Sequence, residues 1–315
     1  MTFRKFSSIE KLSNSISRMN RNGRGKLNFR SKIKLHGTNA GIRIENGKVS
    51  FQKRTSDVTP QNDNAGFANW AQTVNWEKFA DNVIVYGEWA GPGVQKTDAV
   101  SKIPHKTFFV FSVLSNNNMI VEPEMIKNLV PNHPQIVVLP WFDSATEVDL
   151  VKMDLVRDYS LALEEAVEKI GNEDPLVKEL FGVSGIGEGL VVSPYSESGF
   201  VLNKDYEAYT FKVKSTAHMG EKSKKQTLTY FEVPGSVFEF CDMFATEYRF
   251  QQMVDEHCDG TYDMKNTATF LKAVNSDIIK ESVEEREKMN VDMKMVSKEI
   301  NKRAVTWFKR KNSEF

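Results

Sequence analysis

The chain has 315 residues, 40% hydrophobic and 27% charged, with a formal net charge of +0. These values suit a folded protein with a large core and two domains, and they give no global excess of charge that would point at nucleic acid. No apolar run is long enough to span a bilayer. Met1 to Ser8 lacks the apolar core of a secretion signal. Cys241 and Cys258 match neither zinc-ligand spacing nor a disulfide framework, so a cytoplasmic setting is expected.

Charge is unevenly distributed. From Lys11 to Arg43 the basic residues are Lys11, Arg18, Arg21, Arg24, Lys26, Arg30, Lys32, Lys34 and Arg43, with no Asp or Glu. The stretch reads as a basic loop and strand able to hold phosphates. Before it, residues 7–19 read as a short helix capped by Ser7 or Ser8. Leu27, Phe29 and Ile33 then alternate with Asn28, Arg30 and Lys32, a strand ending at Lys34. Asn46-Gly47 joins Ala40–Glu45 to Lys48–Arg54 as a hairpin that returns Arg54 toward Lys34.

Residues 60–82 read as polar loop and helix. Val83–Trp89 reads as a strand on which Ile84, Tyr86 and Glu88 share a face. A Gly-Pro-rich loop follows at Ala90–Lys96, then an apolar strand, Phe108–Leu114. The pattern over 148–170 predicts an amphipathic helix stopped by Gly171. Glu188–Val192 and Tyr209–Ser215 read as strands, with Lys212 and Lys214 on one face of the second. A charged linker, 221–226, leads into predicted helices over about 236–254, 265–274, 276–289 and 292–310. Asn275 or Ser276 would cap the third of these helices, and Lys280 would pair with Glu284. The last would turn Met295, Ile300 and Trp307 inward and Lys302, Arg303, Lys309 and Arg310 outward.

Strand ends thus carry Lys34, Arg54, Glu88, Glu188, Lys212 and Lys214. Together they suit one chemistry: a lysine amine attacking the α-phosphate of ATP. That reaction needs a neutral amine, cations on the phosphate oxygens and a divalent metal for the leaving pyrophosphate. Lys212 and Lys214 would favour the neutral amine by like-charge repulsion. Glu188 or Glu88 would hold Mg²⁺ or the ribose, and Phe111 offers a face for a purine.

Lys34-x-x-Gly37, in the form Lys34-Leu35-His36-Gly37-Thr38-Asn39, resembles the nucleotidyltransferase motif of the RNA ligase 2 family. That family includes phage nick-sealing and kinetoplastid RNA-editing ligases. Gln52–Thr55, Tyr86–Lys96, Phe109–Phe111, Glu188–Val192 and Phe211–Lys214 follow in the family's order. The resemblance covers residues 1 to about 225, and Tyr86–Lys96 is its most specific part.

The resemblance implies an α+β fold. An ATP-grasp-like adenylyltransferase domain of antiparallel sheets with helices would occupy residues 1–225, and a small all-helical domain residues 226–315. It implies an ATP-dependent RNA ligase joining a 5′-phosphate to a 3′-hydroxyl through lysyl-AMP and AMP-capped RNA, with nicked duplex RNA as substrate. Lys34 would be the nucleophile. The Ile33 main chain would read adenine, Phe111 would stack on it, and Glu88 would hold the ribose. Asn39 and Arg54 would grip phosphates or the RNA end. His36 would act in lysine adenylylation or pyrophosphate handling, Glu188 would bind Mg²⁺ or Mn²⁺, and Lys212 and Lys214 would hold the α-phosphate. A monomer in the cytoplasm, a host's if the source is viral, completes the expectation. Two positions depart from the pattern: Ser112 stands for an aspartate and Ser193 for a lysine, with Lys204 as a candidate replacement cation. DNA ligases and capping enzymes of the same superfamily are one competing reading. The Tyr86–Lys96 stretch and the absence of an OB-fold strand pattern after residue 225 argue against it. A non-catalytic nucleic-acid-binding relative is another, and the joint presence of Lys34, Glu88, Glu188, Lys212 and Lys214 argues against that.

Overall fold

The structure is a computed structural model that describes residues 3–9, 12, 26–76, 80–149, 152–219, 235–283, 286, 289 and 291–314, the side chains of 153, 154, 219, 235, 236 and 314 aside. The chain divides into two compact units, residues 1–225 and 226–315. Most of the helix expected over 7–19, the basic loop after it, the linker at 221–226 and the Lys280–Glu284 pair lie outside the described residues.

The first unit carries β1 (Lys26–Lys34), β2 (Thr38–Glu45), β3 (Lys48–Lys53), β4 (Asp57–Val58), β5 (Val83–Ala90) and β6 (Thr107–Ser115). After these come β7 (Asn118–Ile120), β8 (Ile136–Val138), β9 (Thr146–Asp149), β10 (Gly189–Pro194), β11 (Phe200–Leu202) and β12 (Phe211–Lys214). They build two sheets, ordered β12-β10-β1-β9 and β11-β7-β6-β5-β2-β3-β4, with β8 beside β6. The pairings are antiparallel apart from β6 with β8. Consecutive strands β1 and β2 belong to different sheets. The chain therefore crosses from one sheet to the other at Leu35–Gly37, and Lys34 stands at that crossing.

Local chemistry accounts for the larger sheet. Asn46 (φ 51°) and Gly47 (φ 71°) supply the paired positive φ of a tight hairpin turn. Along β5 the alternation is two-sided. Val83, Val85 and Trp89 enter a core with Phe67, Trp76 and Phe108, where Trp70 stacks on Trp89 at 4.7 Å. Ile84 and Tyr86 face the other way, into a cluster with Phe6, Met119, Val121 and Tyr206. Glu88 continues that second face beyond the apolar cluster.

Helices α1 (Phe67–Ala71), α2 (Pro123–Lys127), α3 (Met153–Asn172), α4 (Pro175–Phe181), α5 (Asn203–Tyr209) and α6 (Thr216–Met219) complete the unit. Two expectations change. The predicted helix at 148–170 starts later, because Thr146–Asp149 pairs with β1 as an edge strand. Gly171 does not stop the helix: it lies within α3, where a Cβ would fall 2.6 Å from Ser215 Cβ. The last strand is also shorter than expected, since Tyr209 ends α5.

The second unit consists of α7 (Gly235–Phe244), α8 (Glu247–His257), α9 (Thr267–Glu281) and α10 (Met293–Glu314) around one apolar core. Phe270 stacks on Phe308 at 4.6 Å, and Ile300 and Trp307 are buried as expected. The helix predicted over 236–254 is two helices, because Thr246 Oγ1 accepts from Arg249 N–H and starts α8. The predicted break at Asn275 is absent. Asn275 Nδ2 donates to Leu271 O and to Asn301 Oδ1 (2.6 Å), so this side chain ties α9 to α10 rather than capping a helix. The basic face of α10 is matched by acids: Arg303 pairs with Asp242 and Glu299, and Arg310 with Glu247. No described helix is long and apolar enough to cross a membrane.

Candidate active site

β1, β10 and β12 set the site in register. Lys34 lies opposite Gly189, and Gly189 lies opposite Lys214. Glu188, one residue earlier and 3% exposed, sits between the two lysines. Its Oε2 accepts from Lys34 Nζ at 2.8 Å and its Oε1 from Lys214 Nζ at 2.8 Å. Burial alone would raise the Glu188 carboxyl, but the two ammonium groups outweigh it and hold the group below its ordinary range. Like-charge repulsion, expected between the lysines, is thus relieved by a shared carboxylate.

Glu88 reaches the same place from the other sheet. Its Oε1 accepts from Gly37 N–H at 3.1 Å. Burial pushes its carboxyl up to about 7, against the pull of Lys34. Gly37 is required there: a Cβ would lie 2.4 Å from Trp89 O. The glycine of the Lys34-x-x-Gly37 motif is what lets the crossing chain pass so close to β5.

Two hollows open on Lys34, and Lys34, Asn39 and Glu88 border both. One, of about 600 Å³, is walled by Ile33, Phe111, Val191, Ser193, Tyr206 and Lys32. The other, of about 960 Å³, is bordered by Thr38, Lys53, Arg54, Thr55 and Lys212. The first is mostly apolar in character and the second carries cations, a division that suits a base and its phosphates. Lys34, Ile33, Asn39, Arg54, Glu88, Phe111 and Lys212 therefore converge on the hollows, with Glu188 and Lys214 paired behind Lys34. His36 borders neither hollow. Lys204 is exposed and also borders neither, whereas Ser112 and Ser193 are buried.

Three side chains escaped the sequence reading. Lys32 is buried, and its Nζ donates to Phe111 O and Val121 O, each at 2.7 Å, while lying 4.5 Å from the Trp141 ring centre. Burial lowers its ammonium to about 7, with Glu122 opposing. The strand register slips at Tyr86/Gly87, leaving Phe111 as the extra residue of a β-bulge; Lys32 holds that residue's carbonyl. Period two places Lys32 on the same face as Lys34, a signal that could have found it. Asp98 and His218 are the others. His36 Nδ1 and His218 Nδ1 lie 2.9 and 3.0 Å from Asp98 Oδ2. Neither residue is near His36 in sequence, so spacing gave no signal for them.

A model of the RNA ligase family matches residues 29–214, more than half of the chain. Among solved structures, the chain is similar to a Naegleria gruberi RNA ligase with pyrophosphate, at 18% identity and a TM-score of 0.46, over 72% of this chain and 60% of that one. A mutant of the same ligase with ATP and manganese matches at the same identity, coverage and TM-score. A further mutant, with AMP and manganese, matches at 19% identity and a TM-score of 0.45. The matched region spans 60% of those ligases' own length.

Proposed function

The chain belongs to the RNA ligase family, and we propose that it is an ATP-dependent RNA ligase working through a lysyl-AMP intermediate. The observation that carries the reading is Lys34 Nζ, held at 2.8 Å by the buried Glu188 carboxylate at the rim shared by an apolar and a cationic hollow. A lone surface lysine would have neither the anchored amine nor the two-part pocket.

In this reading adenine enters the hollow walled by Phe111 and Val191, beside the Ile33 main chain. Glu88 holds the ribose hydroxyls. Arg54, Lys212 and Lys214 take charge developing on the phosphates, and Asn39 orients them. Glu188 aims Lys34. Lys34 Nζ gives up a proton to solvent. Its freed lone pair forms an N–P bond to the α-phosphorus as the bond to pyrophosphate breaks, the electron pair leaving on pyrophosphate. AMP then passes to an RNA 5′-phosphate, and a 3′-hydroxyl displaces it to seal the strand. A divalent ion, magnesium or manganese, supplies charge neutralisation for pyrophosphate departure when bound. Glu188 would hold it through the hard oxygen donors such ions take, the same oxygens that Lys34 and Lys214 contact here, so the ion would take the place of one lysine contact. A monomer sealing nicked duplex RNA in the cytoplasm belongs to the same proposal.

Sealing assays on matched nicked duplexes test the substrate class. An RNA nick carrying a 5′-phosphate and a 3′-hydroxyl is expected to be sealed in preference to an all-DNA nick. Equal sealing of both, or sealing of DNA alone, would sink the RNA assignment.

A further inference from the structure

We propose that His36, Asp98 and His218 form a binding site for a divalent transition-metal ion beside Lys34. Their three ligand atoms lie within 4.8 Å of one another, the one such grouping of three among the described residues. They come from three separate segments: the β1–β2 crossing, the loop after β5, and α6.

His218 Nδ1 is within hydrogen-bond reach of Asp98 Oδ1 at 3.3 Å, whereas the contacts to Asp98 Oδ2 make no hydrogen bond and are spaced as ligands are. Asp98 is 2% exposed, and its Oδ2 lies 2.9 Å from His36 Nδ1, yet neither atom has a hydrogen-bond partner. An orphaned buried carboxylate oxygen is costly unless something charged satisfies it. Ligands at about 2.0–2.2 Å from a shared ion stand about 3 Å or slightly more apart, close to the observed separations from Oδ2. With His218 Nδ1 facing Asp98, its Nε2 lies 3.5 Å from Glu188 Oε1, without a hydrogen bond between them, on the side where metal-bound histidines carry an outer partner. The rings of His36 and His218 are crossed at 86°, which keeps them from stacking over the gap.

Two imidazoles and one carboxylate select zinc, cobalt, nickel or manganese over magnesium, which prefers oxygen donors. Three protein ligands leave a position open. The ion would lock the crossing that carries Gly37 and, through His218 and Glu188, fix the side chain of Lys34. This site is separate from the lysyl-AMP reading: metal bound without adduct, or adduct without metal, would separate the two.

Cobalt is the probe. The full chain, stripped with EDTA and titrated with Co²⁺, is expected to develop visible d–d absorption saturating at one equivalent and bleached by one equivalent of Zn²⁺. His218→Asn and Asp98→Asn should each lose that absorption. Zn²⁺ should raise the melting temperature of the wild type, and neither variant should show that rise. Melting in EDTA reports whether each variant is folded. Absence of saturable absorption in the wild type overturns the proposal, and that result needs no variant. So does unchanged absorption in a folded His218→Asn chain, or ready displacement of cobalt by excess Mg²⁺. Identical wild-type melting in Zn²⁺ and EDTA would instead mark a hydrogen-bonded His–Asp–His group and overturn it too.

Discussion

The two units of the chain bury different things. The first hides charge: Lys32, Arg43, Asp98, Asp174 and Glu188 are all buried. In the second, Ser282 is the buried polar residue among those described, and its charges pair near the surface around an aromatic core. Burying a charge costs several kcal/mol unless it is matched, and a matched pair adds little stability over an apolar one. Helix packing needs no such groups, so the second unit does without them. In the first, Glu188 serves Lys34, the amine of the proposed chemistry, while Arg43 pairs with Asp57 and Asp174 caps α4.

The contrast can be broken at several points. Glu188→Gln should hurt most. It leaves Lys34 and Lys214 facing each other without a counter-charge, and breaking a buried pair costs about 3–5 kcal/mol. Adenylylation by the full chain should fall by about a hundredfold or more, at roughly tenfold per 1.4 kcal/mol. Near-normal adduct formation would mean the carboxylate does not aim the amine. Phe270→Ala in the helical core should destabilise that unit by about 3–5 kcal/mol. Lysyl-AMP formation at a temperature where the helical signal has melted should persist, and its loss in step with melting would show that the units do not divide the labour.

Glu88 gives a smaller effect with a definite sign. Its carboxyl is raised to about 7 by burial, so the folded state binds its proton more tightly than the unfolded state does. Its contribution to stability is fully present below the unfolded value near 4.3, declines as pH rises toward 7, and is gone above that. Glu88→Gln should therefore be more stable than the wild type at pH 8 by about 1–3 kcal/mol, with little difference at pH 4. Denaturant titrations at both values check this; a difference independent of pH would contradict it. Least of all should Glu247→Gln matter. It breaks the exposed pair with Arg310 in the helical unit, which should cost less than about 1 kcal/mol. A larger loss would mean that this unit also depends on its charges.

Much of the candidate site's placement was legible because strands have a period of two. That period put Lys34 at a strand end, gave Glu88 its face, and paired Lys212 with Lys214; Asn46-Gly47 fixed the hairpin. Lys32 was not legible as a buried group, since a lysine on a strand ordinarily faces water and its acceptors, Phe111 O at the bulge and Val121 O, lie far away in sequence. Asp98 and His218 meet His36 through tertiary structure alone. In the fold, Val148 and Asp149 read as the start of the helix that follows, while their backbone pairs with β1 as part of the strand Thr146–Asp149. Asn275 resembled a cap because asparagine often is one, yet α10 offered its side chain a better partner. In both cases a distant strand or helix outweighed a local preference.

The central claim is that Lys34 becomes covalently adenylylated. Incubation of the full chain with ATP and Mg²⁺, followed by denaturing mass spectrometry and peptide mapping, tests it most directly. The account predicts one acid-labile AMP on the peptide containing Lys34 and none on a folded Lys34→Ala chain. No adduct on the wild type, or an adduct that survives Lys34→Ala, would contradict it.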